Sequence, residues 1–288
     1  MTARNRRWLT IVGLLAPAVL LLVIFLVVPS FYLLRLSFKE IGAFFEILDV
    51  TTLSNYRRAF SDDFYLNMLW GSVRLTVMIT VLSLLLGYPA AYHMVHAKSS
   101  VYRTILYAVV ISPLLISVIV RSYGWVVLLA QNGLVNGVLV GANIIDNPIR
   151  FLGSFTSVVI ATFHVLLPFM ILPIASSIQD LDPSLERAAL SMGANPAQVF
   201  WRVTLPLTMP GVMAGTVLVI SLTLGIYITP LLVGGPLQPL LATGIYYVTL
   251  REVNFPLGAA LSFVLLAFTL LVIGLTGRLV RNFSRSTV

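Results

Sequence analysis

An all-α, polytopic membrane protein of six transmembrane helices, with both ends of the chain on the cytoplasmic side, is the fold class that the sequence predicts. Three observations predict it. Of 288 residues, 59% are hydrophobic and only 10% charged, with a mean hydropathy of +0.99, whereas an ordinary soluble domain carries about 25% charged residues. Six apolar stretches each approach or exceed the roughly 20 helical residues that a hydrocarbon core requires. The basic residues between those stretches are distributed unevenly between the two sides.

The six stretches lie near 9–34, 69–94, 104–130, 153–177, 211–232 and 255–277. The first follows Arg4, Arg6 and Arg7, as a signal peptide would. Its apolar run of about 26 residues is too long for a signal h-region, and no small-x-small cleavage site follows, so it is expected to remain as a helix. The chain then divides into a cytoplasmic N-terminus (1–8), a first span (9–34), an outer loop (35–68), a transmembrane domain (69–277) and a cytoplasmic C-terminus (278–288). The transmembrane domain contains the inner loop 178–210, and the other outer loops are 131–152 and 233–254.

Ten of the 18 Lys and Arg residues fall on the side of the N-terminus and six on the opposite side, with Arg74 and Arg121 inside spans. The acids divide three against seven, which leaves +7 on one face and −1 on the other. Basic residues mark the cytoplasmic side. The overall charge of +8 therefore reports membrane orientation rather than nucleic-acid binding, because no basic and aromatic residues interleave in a stripe. The chain has no cysteine, which excludes disulfides, thiolate metal sites and a cysteine nucleophile.

The inner loop 178–210 is longer than a turn requires and carries its own start and stop signals. Asp182 before Pro183 is an N-cap with proline at the first helical position, and Gly193 supplies a left-handed stop. Asn195-Pro196 repeats the start signal, so a second short helix is expected through Val199 to Val203 before Pro206 and Pro210 redirect the chain. On the first helix Leu185, Ala188, Ala189 and Met192 follow the i, i+3, i+4, i+7 spacing of one apolar face, with Glu186, Arg187 and Ser191 elsewhere. By itself such a face fits either a turn lying on lipid or a surface that receives a partner.

Arg187-Ala188-Ala189 with Gly193, and Val203-Thr204-Leu205-Pro206 at the proper offset, resemble the cytoplasmic signature E-A-A-x-x-x-G, nine residues, I-x-L-P of ABC importer permeases. Arg187 stands where that signature has its glutamate, and Glu186 precedes it. The resemblance implies the type I importer permease fold and a coupling helix seated in a groove of an ATPase. Its coupling residues would be Leu185, Glu186, Arg187, Ala188, Ala189, Met192, Gly193 and Pro206. It further implies a dimer of ATP-binding subunits as partners, with ATP and Mg bound there and no cofactor on this chain. A second permease subunit, a periplasmic solute-binding protein and the lipid of the bacterial inner membrane complete the expected surroundings.

Further stretches are similar to spermidine/putrescine importer permeases: Ser112-Pro113-Leu114-Leu115, Val120 to Trp125, Gln131 to Asn136, Tyr227 to Gly235 and Asn254 to Ala260. A polyamine is the solute this implies. Importers of aminoethylphosphonate or amino-acid derivatives share much of the same wording.

Inside the spans a charge must face a cavity, a partner or the interface. Arg121 is either a polar group of the translocation path or a guanidinium pairing with helix-end carbonyls or a sister subunit. Arg74 is expected to snorkel to the outer interface, and His164 to make a helix-helix hydrogen bond. No Asp or Glu falls within the six spans. Passage of a cation would then rest on aromatic faces and carbonyls, with Arg121, Tyr123, Trp125, Tyr227, Thr229 and Tyr246 as candidate path or gate residues. Each aromatic could equally be an interfacial anchor. Pro230 and Gly234-Gly235-Pro236 would break the fifth span, so Tyr227 to Pro236 is a candidate outer gate.

No H-E-x-x-H, G-x-S-x-G or P-loop motif is present, so the chain is read as a non-catalytic subunit. A self-sufficient channel or carrier would normally show an internal repeat and intramembrane acids, and neither is apparent. A scaffold without transport would leave the two-part signature unexplained.

Overall fold

A computed structural model describes residues 15–42, 44–235 and 239–286. The expected N-terminal segment 1–8 and the first residues of the first span lie outside it, as do Pro236 of the candidate gate and the last two residues. The chain forms two compact units, Met1–Asp63 with Ile245–Val264, and Phe64–Gly244 with Leu265–Val288.

In the first unit, α1 (Leu15–Ser37) is apolar on every face and buries none of its central stretch, as a helix does when its solvent is lipid. Its C-terminal end is tied to the outer loop. Ser37 Oγ and the Tyr56 hydroxyl lie 2.8 Å apart, and the Asn55 amide donates to the carbonyls of Ser37 and Lys39 at 3.0 and 2.8 Å. The outer loop 35–68 is not irregular. It holds an antiparallel hairpin, β1 (Lys39–Ile41) with β2 (Ile47–Thr51), and a short helix α2 (Ser54–Ser61). Lys39 pairs with Asp49 across the hairpin, and this ammonium holds the exposed Asp49 carboxyl below its usual range.

The second unit is built on three helices: α3 (Asp63–Val95), α7 (Phe155–Gln179) and α10 (Met209–Gly225). α7 is the most enclosed span, and Leu75, Ile79, Met170, Ile174 and Val219 at the centre are fully or almost fully buried. Small residues let the backbones approach, as they do where lipid gives no hydrophobic drive for helix association. A Cβ on Gly211 would lie 2.5 Å from the Pro173 carbonyl oxygen, and one on Gly215 would lie 2.9 Å from Met170 Sδ.

The expected third span 104–130 is two helices, α4 (Ser100–Leu115) and α5 (Val118–Leu129). Pro113 cannot donate to the Val109 carbonyl, which instead accepts from Ser112 Oγ at 2.9 Å. Ile116 and Ser117 then turn extended, and the chain restarts. The outer loop 131–152 holds α6 (Leu134–Gly141), with the buried Asn136 bonded to Ala130 and Ile149 carbonyls and to the Ile149 amide.

The inner loop forms α8 (Pro183–Ser191) and α9 (Pro196–Leu207), and α9 meets α10 at a bend of 63°. Beyond α10 lie α11 (Ile228–Val233), α12 (Leu241–Leu250) and α13 (Phe255–Ser286). α12 occupies the expected outer loop 233–254. It is apolar but only 10 residues long, too short to cross a bilayer.

Candidate functional site

Loop 178–210 owes its shape to local capping. Asp182 is extended, and its side chain accepts the Ser184 amide at 2.8 Å, ahead of Pro183 at the first helical position. That amide holds the Asp182 carboxyl below its ordinary range, with a smaller contribution from Arg187. At the other end Gly193 has φ +89°. Gly193 donates to the Leu190 carbonyl at 3.0 Å and Ala194 to the Ala189 carbonyl at 3.2 Å, the paired bonds of a Schellman stop. Asn195 and Gln198 then exchange side-chain and backbone bonds at 2.8 and 2.9 Å in a capping box. The second helix runs further than Val203: the turn Phe200–Thr204 widens to π geometry and Leu205–Leu207 continues it.

The orientation of α8 corrects one assignment. Leu185 and Met192 are 45% and 83% exposed and Ala188 lies on the same outer side, but Ala189 is only 8% exposed. Ala189 shares the inner face with Glu186, three residues earlier. Glu186 is half-buried, and its carboxylate accepts a hydrogen bond from Thr204 Oγ1 of α9 at 2.6 Å. The outer surface is thus Leu185, Ala188 and Met192, with Arg187 exposed beside them. Leu190 and Trp201, exposed by 47% and 65%, also present apolar surface in this loop. Sequence reading missed Trp201 because a π turn rotates every later side chain by an amount that 3.6-residue periodicity does not describe. Contiguous exposed apolar residues outside a span mark a partner or membrane surface.

The membrane-embedded candidates gather around two breaks. The fifth span is interrupted at Ile226–Tyr227, four residues before Pro230, which lies inside α11. A cleft of about 370 Å³ opens there, lined by Val118 at the start of α5, Phe169 of α7, and Ser221, Gly225, Ile226 and Tyr227. Both helix breaks therefore border one cavity, and broken helices bring polar backbone to membrane depth only where protein or a cavity receives it.

Of the sequence candidates, Tyr227 lines this cleft and is 39% exposed. Arg121 donates from its guanidinium to the Pro113 carbonyl, bridging the break between α4 and α5 from the far side. This is the helix-end reading of Arg121. Thr229 is fully buried and its hydroxyl lies 2.9 Å from Ser122 Oγ, tying α11 to α5. Trp125 donates its indole N–H to His164 Nδ1 at 3.3 Å, tying α5 to α7. Tyr123 is 56% exposed on α5. Tyr246 belongs to the other unit, where its ring packs edge-on at 5.6 Å against Tyr247. Arg74 places its guanidinium 4.7 Å over the Phe155 ring.

Residues 83–285 match the profile of the binding-protein-dependent transport system inner membrane component family. The chain is 37% identical over 244 residues to the spermidine/putrescine transport system permease protein PotB of Haemophilus influenzae, covering 84% of each chain. To PotB of Escherichia coli K12 it is 35% identical, over 85% of this chain and 88% of that one. Its backbone resembles a chain of a bacterial alginate ABC transporter with a TM-score of 0.79 at 20% identity, over 97% and 96% of the two chains. A chain of the MetNI methionine ABC transporter gives a TM-score of 0.57 at 16% identity over 78% and 96%. These last two likenesses concern the fold. With the two-part signature on α8 and α9, the paired breaks in the bundle and the matched 83–285 segment, the chain belongs to the family of binding-protein-dependent transport system inner membrane components.

Proposed function

We propose that this chain is one permease subunit of an ATP-driven, binding-protein-dependent polyamine importer of the spermidine/putrescine class in the bacterial inner membrane. The observation that carries the reading is the exposed apolar face of Leu185 and Met192 on a capped helix, with Leu190 and Trp201 also exposed in the same loop. Such a surface needs a partner, and an ATP-binding subunit of the importer supplies one. ATP and Mg belong to that partner, and the permease itself does no hydrolysis. A second permease chain completes the pathway, and a periplasmic binding protein selects the solute. The polyamine assignment rests on the two relatives at 37% and 35% identity.

Apart from Asp63 at the first residue of α3, the described spans carry no acid to trap a polycation, which favours selection outside the membrane and passage along carbonyls and aromatic faces such as Tyr227. ATP binding closes the motor, the loop moves, and the bundle exchanges inward and outward openings.

Proteoliposomes holding the complete transporter and its binding protein test this directly. ATP-dependent uptake of labelled spermidine or putrescine, competed by either polyamine and not by 2-aminoethylphosphonate, is the expected result. Uptake of aminoethylphosphonate alone would reassign the solute, and uptake by this chain without any ATPase would refute the importer reading.

A further inference from the structure

The loop is joined to α3 by two side-chain bonds between residues far apart in sequence, linked through one i, i+4 hydroxyl-to-carbonyl bond within the loop helix. Thr204 Oγ1 donates to the Glu186 carboxylate at 2.6 Å. The Thr204 carbonyl accepts from Thr208 Oγ1 at 2.8 Å, and Thr208 Oγ1 lies 2.8 Å from the Tyr88 hydroxyl, a pair separated by 120 residues. Thr208 has one hydroxyl proton, and with that proton on the Thr204 carbonyl the Tyr88 hydroxyl donates to Thr208.

Thr204 and Thr208 are 1% and 0% exposed, and Tyr88 is 6% exposed. Alongside the bonds, the Phe200 ring from the π turn packs edge-on against Tyr88 at 5.4 Å and against Tyr92 at 6.4 Å. Thr208 also sits at the 63° bend between α9 and α10, which is where a hinge would lie.

We propose that Glu186, Thr204, Thr208 and Tyr88 form a coupling pin. It fixes the inner end of α3 to the loop and makes the bend at Thr208 the pivot through which loop motion reaches the bundle. The inference rests on the reading that the loop docks an ATPase. Glu186, on the inner face of α8, is then a positioning residue that holds α8 to α9 rather than a contact for the motor. Without the pin the loop could still bind its partner but would slip against α3 when the motor closes.

The isosteric changes Tyr88→Phe, Thr204→Val and Thr208→Val remove single hydroxyls from the pin. In the complete transporter each is expected to retain the ATPase subunits through detergent purification at wild-type stoichiometry while solute moved per ATP falls about fivefold, the scale of one lost buried hydrogen bond. Glu186→Gln keeps an acceptor and should restore most of the coupling that Glu186→Ala loses.

A second readout needs no solute. The chain has no cysteine, so spin labels at Leu86→Cys on α3 and at the exposed Ala197→Cys on α9 report one distance. That distance should stay narrow through the ATP cycle in the otherwise unaltered chain and broaden in Tyr88→Phe. Unchanged transport per ATP together with an unchanged distance distribution in Tyr88→Phe and Thr204→Val would overturn the pin. Loss of the ATPase from these variants would overturn it too, by making the bonds a docking requirement. Absence of the ATPase from the unaltered transporter would instead refute the docking reading.

Discussion

The cytoplasmic loop and the paired breaks inside the membrane solve the same problem, ending a helix and restarting it, by opposite means. In the loop the ends are closed locally: Asp182 caps α8 from one residue ahead, Gly193 stops it, and Asn195 with Gln198 opens α9. In the bundle the ends are closed from a distance. Arg121 reaches back eight residues to the Pro113 carbonyl, and Ser122 meets Thr229 across 107 residues. Water can satisfy a frayed end in the loop, but hydrocarbon cannot, so each membrane break must be held by another helix. A local device makes a rigid surface for a partner. A distributed one makes a junction whose strength depends on how the helices sit, which suits a path that opens and closes.

The largest effect should come from the exposed face of the loop. Leu185→Glu with Met192→Glu is expected to reduce ATPase retention on the purified transporter more than tenfold, with the thermal midpoint of the isolated permease unchanged. A fall in that midpoint would mean the face packs on its own bundle. Next is Arg121→Met, which removes a charged donor from a helix end and should lower bundle stability by about 1.5–3 kcal/mol. If uptake falls while stability is constant, Arg121 serves the path and the contrast between loop and bundle breaks down.

Gly193→Val should come third. A Cβ there meets no atom within 4 Å, but φ of +89° remains strained for any side chain, at a cost of about 1–2 kcal/mol. The expected readout is weakened ATPase retention with an intact bundle. The smallest effect is assigned to the Ser122–Thr229 pair, where a double-mutant cycle of Ser122→Ala and Thr229→Val should give a coupling of about 0.6 kcal/mol. A negligible value would show that packing alone holds α11 to α5. Acid should also separate the two regions. The lowered pKa of Asp182 means its cap is in place above the ordinary Asp range and is lost as pH falls through the lowered value, so hydrogen exchange in α8 should rise at acid pH before that in α7.

Much of the loop was legible because its signals are short-range. Asp182-Pro183, Gly193 and Asn195-Pro196 name a start, a stop and a second start within 15 residues, and the helices form where those signals stand. Grouping Ala189 with Leu185 failed for a tertiary reason: an i, i+4 pair and an i, i+3 pair are nearly equivalent on a bare helix, and only the packing of α9 decided that Glu186 and Ala189 face inward. The break expected at Pro230 falls earlier, at Ile226–Tyr227, for a local reason. A proline in the first turn of a helix requires no donor, so Pro230 sits comfortably inside α11 and the break falls before it.

By itself the sequence determined the apolar solvent of this protein and the capped helices of its inner loop, because these depend on transfer free energy and bonds between near neighbours. It predicts six spans and their direction, and the described residues hold five helices long enough to cross, or six with the bent pair. The tertiary structure alone decided that the third span is broken, that the Arg121 guanidinium reaches the Pro113 carbonyl, and that Tyr88 meets Thr208. Each of these joins groups distant in the chain, and buried polar groups in a membrane take whichever partner the packing of helices brings within reach.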